Sequence, residues 1–232
     1  MRPTADAVDT RLAARRRHDA AAAHEPLWLE WLALGGVLGF ATWLLGVRGV
    51  WALLLRSDPT GITLVIIVVF ATATLWCGAR ARCLQRERLA LIGTGATPVA
   101  GWAADYLAAL AGPGGDADTA LDLLLERTHG PHGTAWWVNG IQLKLGLLGK
   151  VIGFSILALT IGNAPSFDAS QSQELLRSLT TGLGVALLTT MVGLVGNILL
   201  GLQLTRLDRY ADLLVSDMQR LGLAQRQAGG SR

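Results

Sequence analysis

Two stretches of the chain decide its fold: Leu145-Gly-Leu-Leu-Gly-Lys-Val-Ile-Gly-Phe154 and Thr180-Thr-Gly-Leu-Gly-Val-Ala-Leu-Leu-Thr-Thr-Met-Val-Gly-Leu194. Both lie inside long apolar runs, which predicts that both belong to helices within a membrane. Each stretch carries glycines, and the first also carries a lysine and the second threonines, where a lipid-facing helix would carry leucine or isoleucine. Such helices face other helices or water, so the pattern indicates a pore or a tightly packed oligomer.

The composition is also typical of a membrane protein. Of the 232 residues, 51% are hydrophobic and only 16% are charged, whereas a soluble domain has about a quarter charged residues. The net charge of +3 is small, and the arginines cluster near the ends of the apolar runs, which argues against a nucleic-acid partner. Cys77 and Cys83 form no CxxC pair, so neither a disulfide framework, a zinc site nor any cofactor is expected.

The predicted fold class is all-α, a polytopic membrane protein with four transmembrane helices. The four apolar runs cover approximately residues 28–47, 61–78, 136–163 and 179–202. The last two are longer than the ~20 residues that a bilayer needs, so these inner helices are expected to extend into the cytoplasm. Arginines concentrate before the first run, after the second and after the fourth, which places both termini in the cytoplasm by the positive-inside rule.

The expected organisation has five parts: a cytoplasmic N-terminal tail (1–26), a first pair of transmembrane helices (27–80), a cytoplasmic helical connection (81–135), the channel helices (136–204), and a cytoplasmic C-terminal amphipathic helix with a tail (205–232). The connection is expected to hold a short helix over 98–111 and a second helix from Asp118 or Thr119 to about Arg127. A turn over His129–Gly133 is expected to follow, because Gly130 and Pro131 favour turns.

Beyond the fourth run, apolar residues recur at alternating spacings of three and four: Leu204, Leu207, Ala211, Leu214, Met218 and Leu221. This spacing is typical of a coiled-coil seam. A seam this short is marginal alone, so it is expected to pack against neighbouring subunits or against the central connection.

Small and polar residues share one narrow face of each inner helix, at about 100° per residue. On the third run these are Asn139, Gln142, Gly146, Gly149, Gly153 and Thr160, with Lys150 at the edge; on the fourth they are Gly182, Ala186, Thr189, Gly193, Asn197 and Gly201, bordered by Thr190. Two explanations stay open. The face serves close helix packing, which needs no pore, or it meets a polar lumen or partner, which the threonines, asparagines and lysine favour.

Lys150 and Thr190 are expected to lie in one layer of the membrane, about 20 Å and 18 Å below the outer ends of their helices. Neither inner run contains an acidic residue. A buried Lys150 therefore needs a carboxylate from another polypeptide, whereas the alternative is that it snorkels to the cytoplasmic surface.

In these two stretches the chain resembles the MotA/TolQ/ExbB proton channel family, over approximately residues 140–205. The resemblance implies a pentamer in the bacterial inner membrane, surrounding a single-span partner of the ExbD/TolR/MotB kind that carries an essential membrane aspartate. Thr190 matches the pore threonine in the last span of the TolQ/ExbB branch. Lys150 stands where that branch usually has its other pore threonine, and Val185 stands where some relatives have a glutamate.

The resulting expectation is a subunit of a proton-driven stator complex that couples ion flow to mechanical work in the envelope. One alternative is a non-conducting scaffold in which Lys150 pairs with the partner's carboxylate, and another is an unrelated four-span protein. An enzyme is not expected, because no nucleophile-base pair, metal-ligand set or phosphate loop occurs. The candidate pore-lining or partner-facing residues are Thr190, Lys150, Thr189, Thr160, Gly146, Gly149, Gly153, Ala186, Gly193 and Asn197.

Overall fold

The computed structural model describes residues 27–58, 60–93, 100–112, 116–162 and 169–230, and these residues form helices with no strand. The helices among them are α1 (Leu27–Val47), α2 (Val50–Ser57), α3 (Ile62–Gly93), α4 (Trp102–Ala111), α5 (Ala117–Gly162) and α6 (Ala169–Gly230). Four of these, α1, α3, α5 and α6, are long and apolar enough to cross a membrane. The prediction of an all-α, multi-pass membrane protein is therefore confirmed, while the predicted tail over 1–26 lies outside the described residues.

The long helices continue through the places where the composition changes. Helix α3 passes residue 80, α5 passes residue 135 and α6 passes residue 204 without interruption. Helices α5 and α6 have 46 and 62 residues, so they are about 70 Å and 90 Å long at ~1.5 Å per residue. Each therefore extends well beyond a hydrocarbon core of ~30 Å.

The predicted turn over His129–Gly133 is wrong, and so is the predicted helix end at Arg127, because α5 continues through Pro131. A proline has no N–H, so the carbonyl of Arg127 loses its normal helical partner. Arg80 of α3 replaces that partner: its Nη2 donates to the Arg127 carbonyl at 2.7 Å and to the Thr128 carbonyl at 2.8 Å. This tertiary contact therefore keeps the segment helical, although its local sequence favours a turn.

Helix α5 also begins differently from the prediction. The carboxylate of Asp116 accepts hydrogen bonds from the backbone N–H groups of Asp118 and Thr119 at 3.3 Å and 3.4 Å, so Asp116 is the capping residue. Hydrogen bonds from the Asp118 backbone and the Thr119 side chain lower the pKa of Asp116 below its ordinary value. The predicted short helix over 98–111 is present as α4 but begins only at Trp102, while residues 98 and 99 lie outside the described ranges.

The first connection between spans contains α2, which the sequence did not predict. After it, the carboxylate of Asp58 accepts hydrogen bonds from the backbone N–H groups of Thr60, Gly61 and Thr63 at 3.0, 3.1 and 2.6 Å. Burial alone would raise the pKa of Asp58, but the hydrogen bonds from Thr60 and Thr63 hold it below the ordinary value. This buried carboxylate therefore caps the first turn of α3.

The second half of α6 lies at the centre of the described core. Its predicted apolar seam is buried at Leu204, Leu207, Ala211, Leu214 and Met218. The seam packs against Cys77, Ala81 and Leu84 of α3, Ala103 and Tyr106 of α4, and Ala120 and Leu124 of α5. Of the two predicted partners for this seam, the structure contains the central connection of the same chain.

Candidate functional site

Helices α5 and α6 pack as an antiparallel pair along a line of small residues, which we call the glycine seam. A Cβ atom at Gly153 would lie 2.8 Å from both the Ala186 nitrogen and the Gly182 oxygen. One at Gly193 would lie 2.8 Å from the Gln142 carbonyl oxygen. The two backbones therefore approach more closely than any larger residue would allow.

Most of the predicted site residues lie buried in the glycine seam: Gly146, Gly149, Gly153, Ala186, Thr189 and Gly193. The Thr189 side chain fills the space in front of Gly149, and its hydroxyl donates to the Val185 carbonyl of its own helix at 2.8 Å. Close packing within one chain accounts for the small size of these residues. Their role in lining a pore stays a prediction.

Helix α3 runs parallel to α6 and covers one flank of the glycine seam. The positions of α6 that approach α3 recur every seven residues: Gly196, Gln203, Tyr210 and Asp217. Gln203 donates a hydrogen bond to the Thr74 hydroxyl at 3.3 Å, and the Arg88 guanidinium lies 4.9 Å from the centre of the Tyr210 ring. A seven-residue spacing keeps these positions on one face of α6.

Lys150 and Thr190 lie on the opposite flank, which we call the open flank. Lys150 follows the seam residue Gly149 and Thr190 follows Thr189, so each is turned by about 100° from a seam residue. Because α5 and α6 are antiparallel, these two turns bring both residues out on the same flank, away from α3. Lys150 is exposed and Thr190 is half-buried.

Lys150 and Thr190 also lie at the same level of the membrane-spanning pair, as the sequence predicted. The Thr190 hydroxyl lies 3.3 Å from the Gly146 carbonyl, one turn of α5 from Lys150. The Lys150 Nζ lies 6.0 Å from the centre of the Phe154 ring. Lys150 and Thr190 therefore share one flank, with the ammonium toward Phe154 and the hydroxyl toward Gly146.

The two remaining predicted residues, Asn197 and Thr160, are half-buried and differ in their contacts. Asn197 donates a hydrogen bond across the seam to the Asn139 carbonyl at 2.9 Å. The Thr160 hydroxyl donates to the Ile156 carbonyl of its own helix at 2.8 Å. Asn197 therefore belongs to the contact between α5 and α6, whereas Thr160 lies near the end of α5.

Two buried amide side chains of α5 lie in the seam beside Gly193, Gly196 and Gly201. Gln142 is fully buried, and neither of its amide atoms has a hydrogen-bond partner among the described residues. The Asn139 side-chain oxygen is also buried without a partner. Unpaired polar groups in an apolar surrounding cost free energy unless water or another ligand reaches them.

A polar cluster that the sequence did not predict lies further along α5 and α6, around Asp208. We call this region the Asp208 end. His132 Nδ1 lies 2.6 Å from Asp208 Oδ1, and Trp136 Nε1 donates to Asp208 Oδ2 at 2.8 Å. Arg80 Nε lies 3.4 Å from His132 Nε2. His132 itself is almost completely buried.

A second histidine pairs with α6 in the same way, since His129 Nε2 lies 3.0 Å from Asp212 Oδ1. Histidines three residues apart and aspartates four residues apart each share one helix face. This spacing would have revealed the two pairs, but Gly130 and Pro131 indicated a turn instead. Among the described residues, no group of three or more His, Cys, Asp or Glu side chains is arranged to hold a metal ion.

Comparison with known proteins does not add a family to these observations. Neither the protein-family models, the curated proteins nor the solved structures contained a match to this chain.

The variant Gly153→Ala should weaken the contact between α5 and α6, because its new methyl group would lie 2.8 Å from backbone atoms. We expect a loss of about 1–3 kcal/mol in the free energy of unfolding, measured as a lower midpoint of thermal unfolding in detergent by circular dichroism. The matched control is Gly140→Ala on the same helix, where a Cβ atom would have nothing within 4 Å. Equal midpoints for the two variants would contradict the close contact.

The contact between Arg80 and the proline break can be tested by a double-mutant cycle. Arg80→Ala should destabilise the protein less in a Pro131→Ala background, because the new N–H restores the helical bond to the Arg127 carbonyl. We expect a coupling free energy on the order of 1–3 kcal/mol, obtained from denaturant unfolding of the four proteins. Arg82→Ala is the control, since Arg82 lies over the Trp28 ring and its effect should be equal in both backgrounds. Additive effects of the Arg80 and Pro131 substitutions would rule out this role for Arg80.

Proposed function

We propose that this chain is a subunit of an ion-driven membrane complex of the MotA/TolQ/ExbB kind, with its open flank facing a partner polypeptide. The observation that carries the proposal is that α3 packs on one flank of the glycine seam, while Lys150 and Thr190 lie on the other. A lysine within a membrane-spanning segment costs about 2.5–3.5 kcal/mol against lipid. That cost favours a surface where Lys150 meets protein or water.

The chemistry of Lys150 favours a carboxylate as its partner. Neither inner apolar run contains an acidic residue, so the counter-charge comes from another polypeptide. The resemblance supplies a candidate, a single-span protein of the ExbD/TolR/MotB kind with an aspartate in its membrane helix. In this arrangement several copies of the chain, five by the resemblance, surround the partner with their open flanks inward.

The direction of insertion follows from charge. Arg80, Arg82, Arg86 and Arg88 lie along α3 just beyond its apolar part, and α6 carries Arg206, Arg209 and Arg220 at the Asp208 end. By the positive-inside rule these arginines favour the cytoplasm. The resemblance implies the bacterial inner membrane, and the arginines favour both termini and the long extensions of α5 and α6 on its cytoplasmic side.

Within this complex, Lys150 and Thr190 have different effects on the partner's carboxylate. The ammonium stabilises the ionised form and so opposes proton uptake, whereas the Thr190 hydroxyl hydrogen-bonds the carboxyl in either form. Proton flow past the carboxylate then drives movement of the ring relative to its partner. The second candidate function, a non-conducting scaffold, is favoured by the same lysine, because an ion pair that never breaks would lock the partner in place.

The assembly can be tested by native mass spectrometry. The chain would be co-expressed with the product of its neighbouring gene, and the complex purified in detergent. A ring of five copies that retains the partner would support the proposal. A monomer or dimer without the partner would contradict the proposal, and the small residues would then serve helix packing alone.

Proton flux separates the two candidate functions. In proteoliposomes that contain the complex, we expect Lys150→Thr to preserve assembly and to keep or raise flux, because it removes a fixed positive charge. Thr190→Val should lower flux by about tenfold or more, while Thr181→Val, an exposed threonine of the same helix, should leave it unchanged. Loss of assembly in Lys150→Thr would favour the locked scaffold, and normal flux in Thr190→Val would remove Thr190 from the pore.

A further inference from the structure

The Arg80 guanidinium lies over the Trp102 ring of α4, 5.2 Å from its centre, and makes two kinds of hydrogen bond beside Pro131 of α5. Its Nη2 donates to the carbonyls of Arg127 and Thr128, which precede Pro131, and its Nε lies 3.4 Å from Nε2 of His132. A guanidinium has only donors, so the contact with His132 requires an unprotonated Nε2. The imidazole is then neutral and carries its proton on Nδ1, which donates to Asp208 at 2.6 Å.

We propose that His132 is a proton-binding site whose occupancy controls the bend of α5 at Pro131. A proton delivered by a hydronium ion forms an N–H bond at Nε2 and leaves a water molecule behind. The imidazolium keeps its Nδ1–H bond to Asp208 as an ion pair. Its Nε2 no longer accepts from Arg80, and two cations then face each other across 3.4 Å.

Displacement of Arg80 couples the protonation of His132 to the backbone of α5. Once the guanidinium moves away, the Arg127 carbonyl has no partner, because Pro131 has no N–H to offer it. The helix then loses the hydrogen bonds that stabilise it at Pro131, and the parts before and after Pro131 can bend relative to each other. Sharp bends in helices occur at prolines for this reason.

Burial of the ring lowers the pKa of His132 below its ordinary value, and the charged neighbours of the ring act in both directions. From α6, Asp208 favours the imidazolium, and Asp212 is paired with His129. From α3, Arg80 opposes the imidazolium, and so does His129 of α5 when it is charged, at 5.8 Å between ring centres. Asp208 is about one-third exposed, so water can reach the pair although His132 itself is buried.

The connection to ion flow rests on the proposed function, whereas the proton site itself does not. His132 and Lys150 are 18 residues apart on α5, and Asp208 and Thr190 are 18 residues apart on α6, so His132 lies about 27 Å along the pair from the open-flank site. The unpaired side-chain oxygens of Asn139 and Gln142 lie in between. For a proton that leaves toward the cytoplasm, the next buried base along the pair is thus His132, beside Pro131.

Hydrogen exchange tests the proton site without any partner protein. The full chain, in lipid nanodiscs, would be followed by mass spectrometry between pH 5 and 8 in peptides covering residues 128–135, after correction for the intrinsic pH dependence of exchange. In the wild type we expect protection to fall on the order of tenfold as the pH decreases. His132→Gln should abolish this step, because glutamine accepts from Arg80 at every pH.

The matched control is His129→Gln, which removes the neighbouring imidazole but leaves His132, Arg80 and Pro131, and it should retain the step. Pro131→Ala should remove the step while ring-nitrogen NMR still detects titration of His132. Arg80→Gln, which covers the case in which His132→Gln fails to fold, should have low protection throughout the range. An unchanged step in His132→Gln or in Pro131→Ala would overturn the proposal.

A second measurement separates this inference from the proposed function. Proton flux in the assembled complex should fall in His132→Gln and not in His129→Gln. If the wild-type complex conducts no protons while the exchange step depends on His132, the proposed function is overturned and the proton site stands. If the complex conducts but the exchange step does not depend on His132, the proton site alone is overturned.

Discussion

The close approach of α5 and α6 along the glycine seam is the constraint on which the other features depend. Helices in lipid gain little from burying apolar surface against each other, so van der Waals contact between backbones has to supply the attraction. Gly153 and Gly193 permit that contact in the antiparallel register that the structure shows. The same register places Asn197 against Asn139 and, further along, Asp208 against His132.

Features that depend on local pattern were predictable from the sequence. Hydropathy identified the four spans, and periodicity identified the small-residue faces and the apolar seam from Leu204 to Met218. The continuity of α5 was not predictable, because Arg80, which satisfies the carbonyl freed by Pro131, lies about 50 residues earlier in the chain. Local sequence favours a turn there, and a tertiary hydrogen bond overrides it.

The candidate site was predictable only in part, since a single helix face cannot tell packing from a lumen. Gly149 and Lys150 are neighbours in sequence, yet a 100° turn places one against α6 and the other on the open flank. Helix α3 covers the flank of Gly196 and Gln203, so Lys150 lies on the flank that α3 leaves uncovered. The glycines therefore explain how the pair packs, whereas Lys150 and Thr190 are left to meet whatever approaches from outside.

At Pro131 the cost of a proline inside a helix and the stabilisation by Arg80 differ by only a few kcal/mol. A switch requires two states that are this close in free energy. A proline inside a helix costs about 3 kcal/mol, and each hydrogen bond from a charged donor contributes about 1.5–3 kcal/mol. The two bonds from Arg80 to the carbonyls of Arg127 and Thr128 therefore offset the cost without a large surplus. A rigid rod would need neither the proline nor a histidine beside the arginine that compensates for it. Because one pH-dependent charge at His132 acts on the same guanidinium, a change of one proton is enough to alter which state of α5 is favoured.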